Sequence, residues 1–567
     1  MRRRWLERPA ETDAAALAAA LGIPLLLAGH LARRGLCSPD DATRFLAPRL
    51  ADLADPRSMA GMAAAVERLA RAVAQHETVG LCGDYDVDGV TSTTLLTEVL
   101  RHYGINPILY IPHRVRDGYG LNHAAVKVFA ERGTRLLITL DCGVTAHSEV
   151  QAAVDAGMDV IVIDHHTVPV TLPRAVAVLN PHRPDCAFPY KQLCAVGVTF
   201  MLAVALRAAL RGTGAAAAEP DLREHLDLVT LGTIADLVPL TGQNRVLVAQ
   251  GLGVLRQARR LGVRELARVS NVNLAMAEAG DVAFQLAPRI NAAGRLQDAM
   301  LGVELLLATD PARAAELATV LDGENRTRRE TEKRTVETAA ARALEPPHAA
   351  ARALVLYDEE WHPGVVGIAA QKMVEQFHKP SILVGAGGKG SGRSIEAFHL
   401  HDALARNAGL LQGFGGHAHA AGLRVDPKKV DAFREAFYSH AMAVLSPEDL
   451  LPRSHHDGVL PLAALTDQTV ETLARAAPFG RSNAEPCFLV ERTAVRDVRP
   501  VGKTGEHLQL WFGGNARAIA FRMGPDAAAM QAAPADFLMT PRMETWQGVR
   551  RMKLQVRDWR PAGEAAP

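Results

Sequence analysis

The sequence predicts an α/β protein built around a parallel sheet, with a second α/β unit and a small C-terminal β-barrel. Short runs rich in Val, Ile and Leu alternate with helical patterns, which is typical of buried parallel strands. Acidic and histidine residues follow three of these runs, at positions 84–89, 141–143 and 164–166. Ligands of such sheets bind beyond the carboxyl ends of the strands, so we expect the three clusters to share one crevice.

Length and composition indicate several domains. A chain of 567 residues suggests about three or four. The net charge of +1 excludes a global basic field, so nucleic-acid binding would depend on local grooves. The six cysteines form no CxxC pair, which favours reduced thiols and a cytoplasmic protein. We expect no signal peptide and no membrane contact, because no long apolar stretch is present.

The first α/β unit follows an N-terminal helical segment, residues 1–56. Strands are predicted to end just before Asp84, Asp141 and Asp164 and to cover 108–111, with helices at 92–103, 123–132 and 147–156. This is a series of βαβ units and therefore a doubly wound sheet. The chain then reads as mostly helical from 196 to about 308, which completes a domain of residues 57–310.

A connecting segment, residues 311–347, is predicted to form one long helix crowded with charge. A helix that is polar nearly all round often bridges domains through solvent, and at about 1.5 Å per residue it could span a central groove. A second α/β domain follows at 348–448, with strands 353–357 and 381–384, a helix at 365–377, and glycine-rich turns at 387–394 and 413–422. Short strands are predicted at 487–490, 507–512, 518–521 and 552–556, and they indicate a barrel domain at 449–567 that resembles an OB fold.

The segment from Asp84 to Gly89 places three carboxylates on alternate residues, so they share one side while the chain is extended. Crowded carboxylates repel each other, and divalent cations relieve that repulsion. Oxygen ligands suit Mg²⁺ and Mn²⁺, and an added imidazole favours Mn²⁺. An EF-hand would require Glu at the twelfth position, which is Leu95, so we exclude it. A solvated acidic turn is the alternative for this segment alone.

Other segments allow two interpretations each. Asp236 follows an apolar helical run and could be a ligand or a helix cap. The small-residue segment around Ser391 and Arg393 could approach a phosphate or be an ordinary turn. Glycines around His417 indicate a close approach to a ligand or a structural turn, and the segment with Arg289 and Asn291 is equally ambiguous.

Eight motifs, in order, resemble the DHH phosphoesterase superfamily and, within it, the family of bacterial single-strand-specific exonucleases. They are DYDVDG (84–89), DCG (141–143), DHH (164–166), GTIADLVPL (232–240), PRINAAGR (288–295), EWHPGVVGIAA (360–370), SGRS (391–394) and GGHAHAAG (415–422). The resemblance covers nearly the whole chain. It implies a parallel-sheet DHH domain and a DHH-associated α/β domain joined by the long helix, followed by the OB-like barrel.

The resemblance also implies an activity: hydrolysis of single-stranded DNA from the 5′ end with release of nucleoside 5′-monophosphates, in recombination and repair. Two Mn²⁺ or Mg²⁺ ions would be held by six residues, with Asp141 bridging: Asp84, Asp86, Asp88, Asp141, His165 and Asp236. His166 would contact the scissile phosphate. The 5′ phosphate and strand would be bound by Arg114, Arg289, Asn291, Ser391, Arg393 and His417.

The nearest alternative is a DHH enzyme for oligonucleotides or cyclic dinucleotides, which is usually a two-domain unit. The bridging helix and the late barrel favour a long polymer instead. A catalytically inactive scaffold is a further alternative, and the intact carboxylates argue against it. The expected partners are single-stranded DNA, a single-strand-binding protein and a helicase, acting with a monomer in the cytoplasm.

Overall fold

The computed structural model describes residues 3–114, 116–296, 298–546 and 549–564. The chain divides into two compact units. The larger unit contains Leu53–Val238 and Val246–Leu450, and the smaller unit contains Met1–Asp52, Pro239–Arg245 and Leu451–Pro567. Within the described residues, no helix has both the length and the apolar character needed to span a membrane.

A five-stranded parallel sheet forms the centre of the larger unit. Its strands, in spatial order, are Ile108–Tyr110, Val79–Gly83, Leu136–Leu140, Asp159–Ile163 and Ala177–Leu179. The predicted strands are present, and Ala177–Leu179 is an additional short edge strand. The helices around the sheet are Met62–Gln75, Val87–His102, His123–Glu131, His147–Asp155 and Ala195–Leu210. The central strands are almost wholly buried, as their continuous apolar runs require.

The chain is mainly helical after this sheet, as the composition predicts. The helices are Leu226–Ala235, Gly242–Arg256, Leu261–Ser270, Ala287–Leu296 and Met300–Leu307. One turn of π-helix, Val282–Leu286, directly precedes Ala287–Leu296. The PRINAAGR segment therefore lies on a helix and not in a turn.

One helix of 33 residues, Pro311–Ala343, connects the two α/β domains of the larger unit. Asp310 caps its first turn by accepting from the backbone N–H groups of Ala312 and Arg313. It packs on helices Leu261–Ser270, Ala287–Leu296 and Met300–Leu307 of the first α/β domain, and its last turns pack on Val366–Phe377. At about 1.5 Å per residue the helix is about 50 Å long, which agrees with the predicted connecting helix.

The second α/β domain contains a mixed five-stranded sheet. Its strands, in spatial order, are Leu411–Gly416, Ala420–Val425, Lys389–Arg393, Ser381–Val384 and Leu354–Tyr357, and only the last two are parallel neighbours. Its helices are Val366–Phe377, Leu400–Arg406 and Val430–Val444.

The prediction of glycine-rich turns at 387–394 and 413–422 is largely wrong, because most of these residues lie in strands. Two glycines of strand Lys389–Arg393 are explained by crowding on the sheet. A Cβ atom at Gly392 would lie 2.9 Å from Leu400, and one at Gly390 would lie 3.1 Å from Val384. This strand therefore accepts glycine where larger residues would clash.

The smaller unit joins the two ends of the chain. Strand Arg4–Glu7 pairs in parallel with Arg453–His456. Its helices are Ala14–Leu21, Leu25–Ala32, Pro39–Leu46, Asp467–Ala474 and Ala527–Ala532. A six-stranded, mostly antiparallel sheet has the spatial order Phe488–Thr493, Ala535–Trp546, Val549–Pro561, Arg517–Ala520, His507–Trp511 and Asp497–Val501. The strands Asp497–Val501 and Ala535–Trp546 are not among those predicted from the sequence.

Candidate active site

The segment after strand Val79–Gly83 presents its three carboxylates in different ways. Asp84 directly follows the strand, and its N–H donates to the carbonyl of Leu140 on the neighbouring strand. Asp86 caps the next helix by accepting from the N–H groups of Asp88 and Gly89. Oδ1 of Asp86 therefore stabilises the turn into the helix. The segment is extended only as far as Asp86, and Asp88 already lies in the helix.

Asp88 is buried within the first turn of helix Val87–His102. Its two carboxylate oxygens accept from the backbone N–H groups of Ala195 (2.6 Å) and Val196 (2.8 Å) at the start of another helix. A helix N-terminus favours negative charge, so it partly offsets the burial of this carboxylate.

Asp141 occupies the turn at the carboxyl end of Leu136–Leu140. Its φ is 64°, a left-handed conformation that Asp tolerates better than most residues. Its N–H donates to the carbonyl of Ile163, which ties it to the neighbouring strand. The Oδ1 atom of Asp141 lies 3.1 Å from Nε2 of His165.

The predicted metal ligands form two adjoining groups of three. Asp84, Asp86 and Asp141 make one group, and Asp88, His165 and Asp236 make the other, with the donor atoms of each group within 4.8 Å of one another. The short Asp141–His165 contact joins the two groups, which suits a bridging carboxylate. Asp236 comes from the end of helix Leu226–Ala235.

The electrostatics of these groups are those of a cation site. Burial, followed by the charge of neighbouring carboxylates, raises the pKa of Asp84 and Asp141 well above the ordinary value. Burial and then Asp86 raise the pKa of Asp88 to about 7. Burial lowers the pKa of His165 to about 4, so this imidazole is neutral at pH 7 and can serve as a ligand.

Several buried oxygen and nitrogen atoms that could bind a metal ion also make no hydrogen bond. Among the described residues, Oδ1 of Asp84, Oδ1 of Asp141 and Nε2 of His165 have none. Buried polar atoms without partners are rare and costly in proteins. The donor set, five carboxylates and one imidazole, fits divalent cations such as Mn²⁺ or Mg²⁺.

Asp164 has a role that the sequence analysis did not assign. Its carboxylate accepts from the backbone N–H groups of His165, His166 and Val144 and contacts Nδ1 of His166 at 2.7 Å. It therefore holds the histidine pair and the turn after Asp141 in place. Burial alone would lower the pKa of His166, but the hydrogen bond to Asp164 raises it. The hydroxyl of Tyr119 adds contacts to His166 and to the carbonyl of Asp141.

Two predicted phosphate ligands lie on the second α/β domain. The guanidinium of Arg393 donates to Oγ of Ser391 at 3.0 Å. Burial and then the positive charge of Arg114 lower the pKa of Arg393, so the two arginines lie within range of each other's charge. Arg114 stacks over the ring of Tyr85 at 4.7 Å, next to the first metal group. Arg114, Ser391 and Arg393, whose binding of a terminal phosphate stays a prediction, are called the terminal-phosphate residues.

Helix Val366–Phe377 begins beside these residues. A Cβ atom at Gly367 would lie 3.0 Å from Oγ of Ser391 and 3.4 Å from Nη2 of Arg393. The glycine therefore leaves room for the two side chains. Arg295 is a further arginine that the sequence analysis did not single out. Burial and the charges of Arg114 and neighbouring arginines lower its pKa to about 9.

The other predicted substrate ligands differ in their surroundings. Arg289 is buried and ion-paired with Asp322 at 2.9 Å, so a phosphate would have to compete with that carboxylate. The side chain of Asn291 accepts from the backbone N–H of Val87 and so supports the first metal-ligand segment. His417 of the second domain lines one cavity with His165 and His166. The substrate roles of these three residues stay predictions.

Three family models match the chain. The DHH family N-terminal domain matches residues 78–233, the DHHA1 domain matches 350–442, and the RecJ OB domain matches 456–558. The first covers the parallel sheet, the second covers the mixed sheet, and the third covers most of the six-stranded sheet.

Curated relatives are named single-stranded-DNA-specific exonuclease RecJ. The protein from Dickeya dadantii is 42% identical over 490 residues, which cover 82% of this chain and 83% of the relative. The protein from Escherichia coli is 39% identical over 505 residues, which cover 86% of this chain and 86% of the relative. The protein from Bacillus subtilis is 37% identical over 89% of this chain, and the chain spans 64% of its length.

Solved structures give the same result. Thermus thermophilus RecJ in complex with Mn²⁺ matches with a TM-score of 0.84 and 32% identity, over 100% of this chain and 80% of that one. The same protein in complex with Mg²⁺ matches with a TM-score of 0.79, 31% identity and coverage of 100% and 79%.

Proposed function

Because the chain belongs to the RecJ family of single-stranded-DNA-specific exonucleases, we propose that it digests single-stranded DNA from the 5′ end and releases nucleoside 5′-monophosphates. The observation that carries the proposal is the pair of donor groups joined by the 3.1 Å Asp141–His165 contact, beside the terminal-phosphate residues. The first feature supports phosphodiester hydrolysis, and the second supports its direction.

Two divalent cations would be held by Asp84, Asp86 and Asp141 and by Asp88, His165 and Asp236, with Asp141 shared. When bound, such cations neutralise charge on the phosphate and lower the pKa of the attacking water. The protein's contribution is to gather these donors in a buried crevice. One relative, Thermus thermophilus RecJ, has structures in complex with Mn²⁺ and with Mg²⁺, which supports either metal.

His166 is the residue best placed to contact the scissile phosphate. Its Nδ1 is engaged by Asp164 and lies 3.9 Å from Asp141, next to the metal ligands. Nε2 is therefore the nitrogen left for a phosphate oxygen. The raised pKa of His166 favours the protonated ring, which can donate to that oxygen.

The terminal-phosphate residues would fix the direction of digestion. A terminal phosphate carries more charge than an internal one and exposes an additional oxygen. A guanidinium can bind two of its oxygens at once, and the Ser391 hydroxyl offers another donor. If this pocket holds the 5′ phosphate, the first nucleotide lies between it and the metal site.

The decisive experiment compares 5′- and 3′-labelled single and double strands with Mn²⁺, Mg²⁺ or a chelator. We expect metal-dependent release of mononucleotides from the 5′ end of single strands, with Mn²⁺ at least as effective as Mg²⁺. Blunt duplex digested as fast as single strand, or release from the 3′ end, would refute the proposal.

A variant pair tests the direction. Arg393→Ala should lower single-turnover rates on 5′-phosphate ends more than on 5′-hydroxyl ends, whereas Arg406→Ala, an exposed arginine of the same domain, should not change the ratio. An unchanged ratio in Arg393→Ala would remove this residue from the role.

The cellular setting proposed here is recombination and repair in the cytoplasm. A helicase and a single-strand-binding protein would work with a monomeric enzyme on the single strands. Co-purification with the full chain tests the two partners, and sedimentation of the full chain tests the monomer. The alternative, a phosphodiesterase for oligonucleotides or cyclic dinucleotides, predicts rates that do not rise with strand length. The match to the RecJ OB domain favours a polymer substrate.

A further inference from the structure

A cavity of about 830 Å³ opens beside the candidate metal site, and its lining extends well beyond the proposed metal and phosphate ligands. His165 and His166 line it. The loop 167–172 forms one wall, His182, Pro184 and Asp185 form a second wall, and His417 reaches the cavity from the second α/β domain. We call this cavity the side slot.

One wall of the side slot, the segment that carries His182 and Pro184, is held in place by hydrogen bonds. The buried side chain of Asn180 donates to the carbonyl of His166 at 2.9 Å and accepts from the N–H of His182 at 2.9 Å. Arg183 donates to the carbonyl of Val178 and pairs with Asp185 at 2.6 Å. The second wall is therefore fixed relative to the catalytic histidines.

The chemistry of the side slot differs from that of a phosphate pocket. Among its described lining residues there is no Lys or Arg, and Asp185 carries the only carboxylate. Val168 and Leu172 are partly buried against the core of the sheet, whereas Val170 is fully exposed, at 105%. The exposed aliphatic side chain of Val170 and the exposed imidazole of His182 in one cavity suit a flat, uncharged, largely apolar group.

We propose that the side slot binds the nucleobase of the second nucleotide, the one whose 5′ phosphate is attacked. The assignment rests on the proposed function and its direction. The first nucleotide must extend from the terminal-phosphate residues to the metal site. Arg114, Ser391 and Arg393 do not line the side slot, whereas His166, the proposed contact of the scissile phosphate, does. We therefore assign the slot to the base on the far side of the scissile phosphate.

This assignment predicts how the enzyme depends on the base. The side slot should accept any of the four bases, because every base has a π-face that can stack on the His182 ring and contact Val170. A missing base should therefore matter more than a changed base. Stacking of one base typically changes affinity by about tenfold or more.

The experiment uses the full-length protein and 5′-phosphorylated single strands that lack one base, at the first, second or third nucleotide. Single-turnover rates of the first cleavage are measured below saturation. The rate of the wild-type enzyme should fall about tenfold when the second base is absent, and clearly less when the first or the third base is absent.

Two variants then connect the effect to the side slot. His182→Ala and Val170→Ser should bring the ratio of intact to second-position abasic rates close to one. His147→Ala and Val154→Ser are matched exposed controls on helix His147–Asp155 and should keep the wild-type ratio. Both slot side chains are exposed, so neither change threatens the fold.

The outcomes separate this inference from the proposed function. Failure of the wild-type enzyme to digest the intact strand would refute the proposed function. Normal digestion with no loss at the second position, a greater loss at the first or third position, or a loss that both slot variants retain would refute only the role of the side slot.

Discussion

Asp141→Asn should make the metal-free protein more stable while nearly abolishing catalysis. Asp141 is buried among Asp84, Asp86, Asp88 and Asp236, and its pKa is raised by burial and by those charges. The shape of the side chain and the left-handed backbone suit Asn equally well. The substitution therefore removes a charge without removing a fold contact, and it removes the ligand that joins the two metal groups.

The magnitude can be judged from the neighbouring carboxylate. The pKa of Asp88 rises from 3.8 to about 7, and one pKa unit corresponds to about 1.4 kcal/mol, so ionisation of Asp88 costs about 4 kcal/mol more in the folded protein than in the unfolded chain. Because the raised pKa belongs to the folded state, the metal-free protein loses stability as pH rises from about 4 to 7. We expect Asp141→Asn to recover roughly 1–4 kcal/mol of unfolding free energy at pH 7.

The assay is urea unfolding at pH 7 with chelator, followed by exonuclease rates and Mn²⁺ binding for the same preparations. Loss of even an outer partner of a metal ligand typically costs about 10–100-fold, so loss of the shared ligand should cost at least about 10³-fold. Asp155→Asn, an exposed carboxylate, is the control. Near-normal turnover, or a metal-free variant no more stable than wild type, would refute the reasoning.

Further predictions concern other parts of the larger unit. Asp164→Asn should lower turnover by about 10–100-fold, because His166 loses its charged partner, and an unchanged turnover with folded protein would contradict this. Gly367→Ala should weaken the preference for 5′-phosphate ends, measured as the rate ratio of phosphorylated and hydroxyl ends, because its Cβ would press on Ser391. Chelator should abolish activity and added Mn²⁺ should restore it, as followed by mononucleotide release. The hydrogen bonds of Glu98 to His225 and Arg260 outweigh burial and lower its pKa to about 2. This stabilisation is present above about pH 4.5 and is lost as pH falls towards 2. Glu98→Gln should therefore lower the free energy of unfolding at pH 7 and make that free energy decrease less steeply between pH 4.5 and 2.

The first α/β domain was predictable because its strands are buried on both faces. Such strands appear as continuous apolar runs, and the residues that follow them are then placed at one edge of the sheet. The convergence of Asp84, Asp141 and His165 follows from this geometry alone. The short edge strand Ala177–Leu179 was missed because three residues give almost no periodic signal.

Other features depend on contacts that local sequence does not contain. The strand Lys389–Arg393 resembles a turn because its glycines are dictated by the side chains of Leu400 and Val384. The ion pair of Arg289 with Asp322 joins residues 33 positions apart. The role of Asp164 depends on which carboxylate oxygens accept from the backbone, and spacing does not determine that.

The two α/β domains are connected by the continuous helix Pro311–Ala343, so the number of residues in this helix sets the distance between them. Each residue of a helix adds about 1.5 Å of rise and about 100° of rotation. One inserted residue in its exposed middle would therefore turn Arg393 and His417 far out of line with the metal ligands. Seven inserted residues would nearly restore the rotation but separate the domains by about 10 Å. Loops of the protein can thus tolerate changes in length that this helix cannot.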